Sequence, residues 1–134
     1  MLTPFGFVFD SISRSFIITS HQGHSIVRWP LNATNWTLVS GTPGFAGSTA
    51  SLLNGPVGIT QDLMGNLYVA DSNNHRVQFF ADDNSEGLTI AGISGTFGSN
   101  STHLRSPYWV KLDNQLNLYV SDISNNRIQK FLRY

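Results

Sequence analysis

The side chains best suited to chemistry are two acid–base pairs, Asp71 with Arg76 and Asp122 with Arg127, each five positions apart. A carboxylate beside a guanidinium could clamp a polar ligand, because the arginine fork offers parallel N–H donors to paired oxygens. The pairs also lie 51 positions from one another. Chemistry that recurs with such a period is what a folding unit demands of every copy, and an aspartate at a turn accepts backbone N–H groups. The pairs are therefore read as structural pins of a recurring turn.

His21 and His24 are three apart and invite a metal, but the same stretch holds no cysteine or carboxylate. A zinc site there would need ligands converging from elsewhere. His103 stands alone between copies. Asp82, Asp83 and Glu86 crowd into ADDNSEG, whose spacing does not match a calcium-binding EF-hand loop, so the stretch reads as a solvated turn. There is no Gly-x-Ser-x-Gly elbow, no phosphate loop and no Ser/His/Asp set on neighbouring elements. The chain has no cysteine, which excludes disulfides, cysteine-ligated zinc and a thiol nucleophile. No catalytic residue, metal or cofactor is expected.

The elements that would position these residues are short strands. Pro56 matches Pro107, Tyr68 matches Tyr119, and Gly41 matches Gly92, all at the 51-residue offset of the acid–base pairs. Backwards by the same step, Val77 matches Ile26 and Phe80 matches Trp29. A period near fifty built of strands points to propeller blades. First strands are expected at Phe5–Asp10, Val57–Asp62 and Tyr108–Asp113, and second strands at Phe16–Ser20, Leu67–Asp71 and Leu118–Asp122. The second strands lack proline and are rich in apolar residues, which suits coverage on both faces. Third strands follow at Ser25–Trp29, Arg76–Phe80 and Arg127–Phe131, and fourth strands at Thr37–Ser40 and Leu88–Ala91. No helix is expected. The blades run approximately over 3–41, 55–92 and 106–134, joined by connectors 41–55 and 92–106 of equal length. Those connectors share Gly44/Gly95 and Gly47/Gly98, and glycine at fixed loop positions predicts positive φ there.

The stretch GPVGITQDLMGNLYVADSNNHRVQFF, Gly55 to Phe80, resembles an NHL repeat. Its Pro-x-Gly-Ile strand, Gly-Asn turn, tyrosine strand, aspartate and Asn-His-Arg triplet all stand in the family's order. The third copy departs at Trp109, in place of Gly58, and at Leu116, in place of Gly65. The first has Ser20 and Ser25 where the aspartate and arginine would be. The resemblance implies four-stranded antiparallel blades, usually closed as a six-bladed ring. It also implies a platform for protein or RNA, while the similar amidating lyases hold a metal with histidines from several blades.

Counted against that plan, the fold is all-β, with three blades of four, four and three strands: an open arc, or half of a six-bladed ring. Either a longer chain or a second copy, as a homodimer, would complete the ring. Charge bears on the partner. Only 12% of residues are charged and Lys plus Arg equals Asp plus Glu, so no basic field exists for a phosphate backbone, and nucleic acid is not the favoured partner. No stretch is long and apolar enough to span a bilayer, and no leader is legible. The chain reads as soluble, with a lean to the cytoplasm. The sequons at Asn32, Asn35 and Asn100 are about as many as composition yields by chance and carry no argument.

A non-catalytic module binding protein or peptide is the favoured reading. Turns between second and third strands emerge at the same end as the connectors, which groups Asn73, Asn74 and His75 with Asn125, Asn126, and the connector tips Phe45 and Phe97. Tyr108 and Trp109 open the third copy's innermost strand near that rim. Trp109 either fills the channel or presents an aromatic platform.

Overall fold

The computed structural model describes residues 2–133. It contains eleven strands in three antiparallel sheets. The first blade comprises β1 (Pro4–Asp10), β2 (Ser15–Ser20), β3 (Ser25–Pro30) and β4 (Thr37–Gly41). The second comprises β5 (Pro56–Gln61), β6 (Leu67–Asp71), β7 (Arg76–Phe80) and β8 (Leu88–Gly92). The third comprises β9 (Pro107–Leu112), β10 (Leu118–Asp122) and β11 (Arg127–Phe131). Each sheet runs in sequence order from β1, β5 or β9 on the inside. Among the described residues the arc stays open. The sequence expected no helix, and the only helical pieces described are single 3-10 turns at Ser72–Asn74 and Ile123–Asn125.

Each innermost strand has a bulge directly after its proline. The registers skip between Pro4 and Phe7, between Pro56 and Ile59, and at the matching place in β9. The bulge turns the backbone of one blade onto the next, which explains the glycine found there. A Cβ on Gly6 would lie 2.4 Å from the Val57 carbonyl oxygen, and one on Gly58 would lie 2.4 Å from that of Tyr108. Only a residue without a side chain lets the blades close to that spacing.

Two apolar layers hold the arc. Ile17, Ile26, Leu53, Ile59, Val69 and Phe80 fill the space between the first and second blades. Ala70, Val77, Leu104, Val110, Leu118 and Val120 fill that between the second and third. The middle blade therefore has both faces covered, and β6 is buried at every position. In β2 and β10 burial alternates instead, because one face of each outer blade has no neighbour. The expectation of strands covered on both faces holds for the middle blade alone.

The turn after each innermost strand is organised by an aspartate. Asp62 accepts hydrogen bonds from the Met64 and Asn66 backbone N–H groups, the Asn66 amide and the Tyr68 hydroxyl. Asp113 repeats the set with Gln115, Asn117 and Tyr119. Burial first, then the charge of Asp62, push the Tyr68 hydroxyl up to about 12. Gly65 closes its turn at φ 87°, whereas Leu116 adopts φ 62° at the same place in the third blade. In the connectors, Gly44 and Gly95 have the expected positive φ, 85° and 75°. Gly47 and Gly98 do not. They are small because the Leu52 and His103 side chains press against them.

Candidate functional site

The acid–base pairs fasten each connector to the blade that follows it. Asp71 is fully buried and accepts from the Asn54 N–H at 2.7 Å, the Asn74 amide at 2.8 Å and Arg76 Nε at 2.8 Å. Burial pushes its carboxyl up, against the pull of these three donors. Arg76 sends its other N–H groups to the carbonyls of Ser48, Thr49 and Leu52 and to the Ser94 hydroxyl. In the third blade Asp122 holds Arg105 N–H, Asn125 and Arg127, while Arg127 reaches the carbonyls of Ser99, Asn100 and His103 at 2.8 Å each. In the first blade the corresponding serine, Ser20, accepts from Thr3 N–H.

Asn74 and Asn125 belong to the same fastening. Their amides donate to the Gly47 and Gly98 carbonyls at 2.8 and 2.7 Å, besides the aspartates. Asn74 is buried. Asn73 is exposed, its amide 3.3 Å from Asn54 Oδ1.

His75 joins blades. With φ 56° it turns out of the 3-10 segment, and its Nδ1 accepts the Ser106 N–H at 3.1 Å, where the third blade begins. His24 does the same for Gly55 at 3.0 Å. An Nδ1 that accepts must be unprotonated, so the proton of the neutral ring sits on Nε2. Burial, reinforced by the Arg105 charge and opposed by Asp122, holds His75 below the usual histidine value. Asn126, with φ 54°, takes the equivalent place in the third blade. His24 and His75 stand 51 positions apart, but that they join blades required seeing which N–H groups they face.

The apolar rim residues fall into two groups. Phe97 packs edge-on to His75, with centroids 5.4 Å apart, and the Arg105 guanidinium lies 4.8 Å above its ring. Phe45, at the same place in the first connector, is exposed. The second group surrounds the axis. Tyr108 meets Phe5 at 5.5 Å and Trp109 at 5.6 Å, both nearly edge-on, and Phe5 meets His21 at 5.2 Å. Trp109 remains 48% exposed and Phe5 46%. His21 Nδ1 is buried without a hydrogen-bond partner, and its ring converges with the Asn73 amide on Gly55. Sequence reasoning placed Tyr108 and Trp109, passed over Phe5, and weighed His21 only as a metal ligand. The available signal was an aromatic after the proline in two of three copies, Phe5 and Tyr108. Among the described residues no three histidines or carboxylates come together as a metal site, and no helix is long and apolar enough to cross a membrane.

Residues 53–80 match the family model for the NHL repeat. The central blade is an NHL repeat. Its aspartate, asparagine and arginine are the groups that fasten the connector, so the motif encodes the blade's own assembly. No curated protein matches the chain in sequence. Among solved structures, a protein of unknown function from Bacteroides thetaiotaomicron superposes with a TM-score of 0.82 at 15% identity, over 95% of this chain and 34% of that one. An auxiliary nutrient binding protein from the same organism gives 0.79 at 18% identity, over 92% and 36%. A catalytically inactive virginiamycin B lyase from Staphylococcus aureus, with quinupristin, gives 0.63 at 17% identity, over 96% and 41%. The chain thus spans about a third to two fifths of the length of these proteins. At these identities the likeness is one of fold, and that fold carries binding proteins and enzymes alike.

Proposed function

We propose that the chain is a non-catalytic interaction module that binds an extended protein or peptide segment across its axial rim. One observation carries this reading: Phe5 and Trp109, both exposed, and the partly buried Tyr108 between them, from the innermost strands of the first and third blades, form an aromatic cluster beside His21. Aromatic groups that are half exposed and mutually braced provide a large contact area with little rotamer entropy to lose. The exposed Asn73 amide beside them supplies a polar contact for a peptide backbone. The rim's cations support protein over RNA as the partner. Arg76 and Arg127 are engaged with connector carbonyls and Arg105 lies over Phe97, leaving little positive charge for phosphates.

The test is selection of peptides from a random display library on the wild-type chain, with counter-selection on Trp109→Ala and Phe5→Ala variants of unchanged melting temperature. Peptides that bind the wild type and lose at least about tenfold in affinity on either variant support the reading, as expected for aromatic anchors. Peptides indifferent to both substitutions, or single-stranded RNA that binds with a steep salt dependence, would refute it.

A further inference from the structure

The junction between the first and second blades holds a reactive pair that the next junction lacks. Asn54-Gly55 is the one Asn-Gly pair in the chain, and it stands where the first connector enters β5. In such a pair the glycine nitrogen can attack the asparagine Cγ and close a five-membered ring, because glycine has no Cβ to obstruct the approach. Arg105 and Ser106 take these places at the second junction, and an arginine side chain cannot close that ring.

The groups around the pair are those an acyl transfer needs. The Gly55 N–H, on the attacking nitrogen, donates to His24 Nδ1 at 3.0 Å. An unprotonated imidazole nitrogen so placed can take the proton as the nitrogen attacks. Asn54 Oδ1, on which negative charge develops, accepts the Asn73 amide at 3.3 Å, the position of an oxyanion donor. The backbone is pinned on both sides of the asparagine side chain. The Asn54 N–H donates to Asp71 at 2.7 Å, and the Asn54 carbonyl accepts the Asn73 N–H at 3.1 Å. Asn54 is half-buried beside the exposed Asn73, so water reaches it. Packing gives one reason for the glycine, since a Cβ there would lie 2.6 Å from the Asn73 amide nitrogen and 2.9 Å from His21 Cε1. Yet Ser106 holds the same place at the second junction with φ 53°, against 64° at Gly55. The fold does not itself demand an Asn-Gly pair.

We propose that Asn54 is a self-modification site, which the folded chain converts to aspartate and isoaspartate with His24 as general base and Asn73 as oxyanion donor. The bond from Gly55 nitrogen to Cγ forms while the nitrogen's proton passes to His24 Nδ1. The Cγ–Nδ2 bond then breaks, and the departing nitrogen takes that proton and leaves as ammonia. Water adds to either carbonyl of the cyclic imide and opens it to aspartate or isoaspartate; nothing is oxidised or reduced. The imide nitrogen carries no hydrogen, so closing the ring opens the His24 latch. Isoaspartate restores the N–H but lengthens the main chain by one methylene, which displaces it from His24 and loosens the first blade from the second. The reaction involves no binding partner, so it and the peptide-binding role can fail separately.

The test incubates the chain at neutral pH and body temperature. Peptide mapping by mass spectrometry follows the amide-to-acid conversion, and labelling by an isoaspartate methyltransferase identifies the isomer. The folded chain should convert Asn54 at least about tenfold faster than a free peptide copying residues 51–58, and His24→Asn should remove that excess. Asparagine suits the backbone there, because Asn126 adopts φ 54° at the equivalent place and His24 has φ 52°. Asn73→Ala should slow the reaction by a smaller factor, its contact being longer and exposed. As isoaspartate accumulates, amide exchange should accelerate at Gly55 and not at Ser106. Conversion in the folded chain no faster than in the peptide would overturn the proposal, as would an undiminished rate in His24→Asn at unchanged melting temperature. The comparison with the peptide needs no variant and decides alone if His24→Asn does not fold.

Discussion

Removing the arginine should have unequal consequences in the two blades that carry the pair, and the size of the difference follows from exposure. Arg76 has 3% of its side chain exposed beside an Asp71 with none, whereas Arg127 has 28% exposed beside an equally buried Asp122. Arg76→Ala leaves Asp71 buried with the Asn54 N–H and the Asn74 amide, and frees the carbonyls of Ser48, Thr49 and Leu52. Stripping one partner from a buried ion pair costs about 3–5 kcal/mol. Arg127→Ala removes the same four contacts, but water can reach the place the guanidinium vacates, so a loss nearer 1–3 kcal/mol is expected. Urea denaturation followed by far-UV circular dichroism gives both values, and Arg76→Lys serves as a milder variant should Arg76→Ala not fold. A loss at Arg127 equal to or larger than that at Arg76 would refute the exposure argument. Losses below about 1 kcal/mol at both would refute the fastening role altogether, and would return the pairs to the list of candidate ligand groups.

Three further outcomes follow from the junctions and turns. Gly58→Ala places a Cβ 2.4 Å from the Tyr108 carbonyl oxygen and should cost about 1–3 kcal/mol in the same denaturation assay, as overpacking does; a neutral result would show that the blades slide apart freely. The His75 latch requires a neutral ring, and its folded-state value lies below the ordinary one of about 6.5. Its contribution is therefore fully present above pH 6.5 and lost as pH falls through the folded value. Exchange of the Ser106 amide should accelerate over that range, and His75→Phe should abolish the dependence while leaving Asp122 and Arg105 in place. Tyr68, raised to about 12, should contribute stability below pH 10 that disappears between pH 10 and 12; Tyr68→Phe should remove that alkaline step, and an unchanged profile would count against a buried, hydrogen-bonded hydroxyl.

The strands were legible because each apolar run is short and bounded by turn residues, and because two internal copies fixed one another's register. β6, β7, β10 and β11 fall at their expected positions, and most other boundaries differ by one residue. The fastening role of the acid–base pairs was legible as repetition, but not its object. That Arg76 reaches back 24 to 28 positions to the connector carbonyls cannot be seen in a pattern of side-chain types, since carbonyls are present at every residue. The same reason hid the histidine latches, whose partners are backbone N–H groups. The Phe5–Tyr108 contact joins residues more than a hundred positions apart through the geometry of the arc, and no local periodicity encodes it.

The copies agree where a blade must meet its neighbour and disagree where the rim is formed, and Trp109 connects the two. In the first and second blades the glycine at this place lies within contact of the following blade's carbonyl. A side chain there forbids that approach, so any neighbour joining the third blade at the spacing of the other junctions would collide with Trp109 Cβ. The histidine that latches the following blade is also replaced, by Asn126. A longer chain or a second copy adjoining this face must therefore do so at a wider angle or through side chains. The indole that breaks the repeat lies beside Gly58 of the second blade and still remains 48% exposed, which supports the proposal that it is a contact surface. Its neighbours support that reading: Tyr108 braces the indole edge-on and is itself met edge-on by Phe5, the geometry of an anchor held ready rather than of a side chain collapsed into a core.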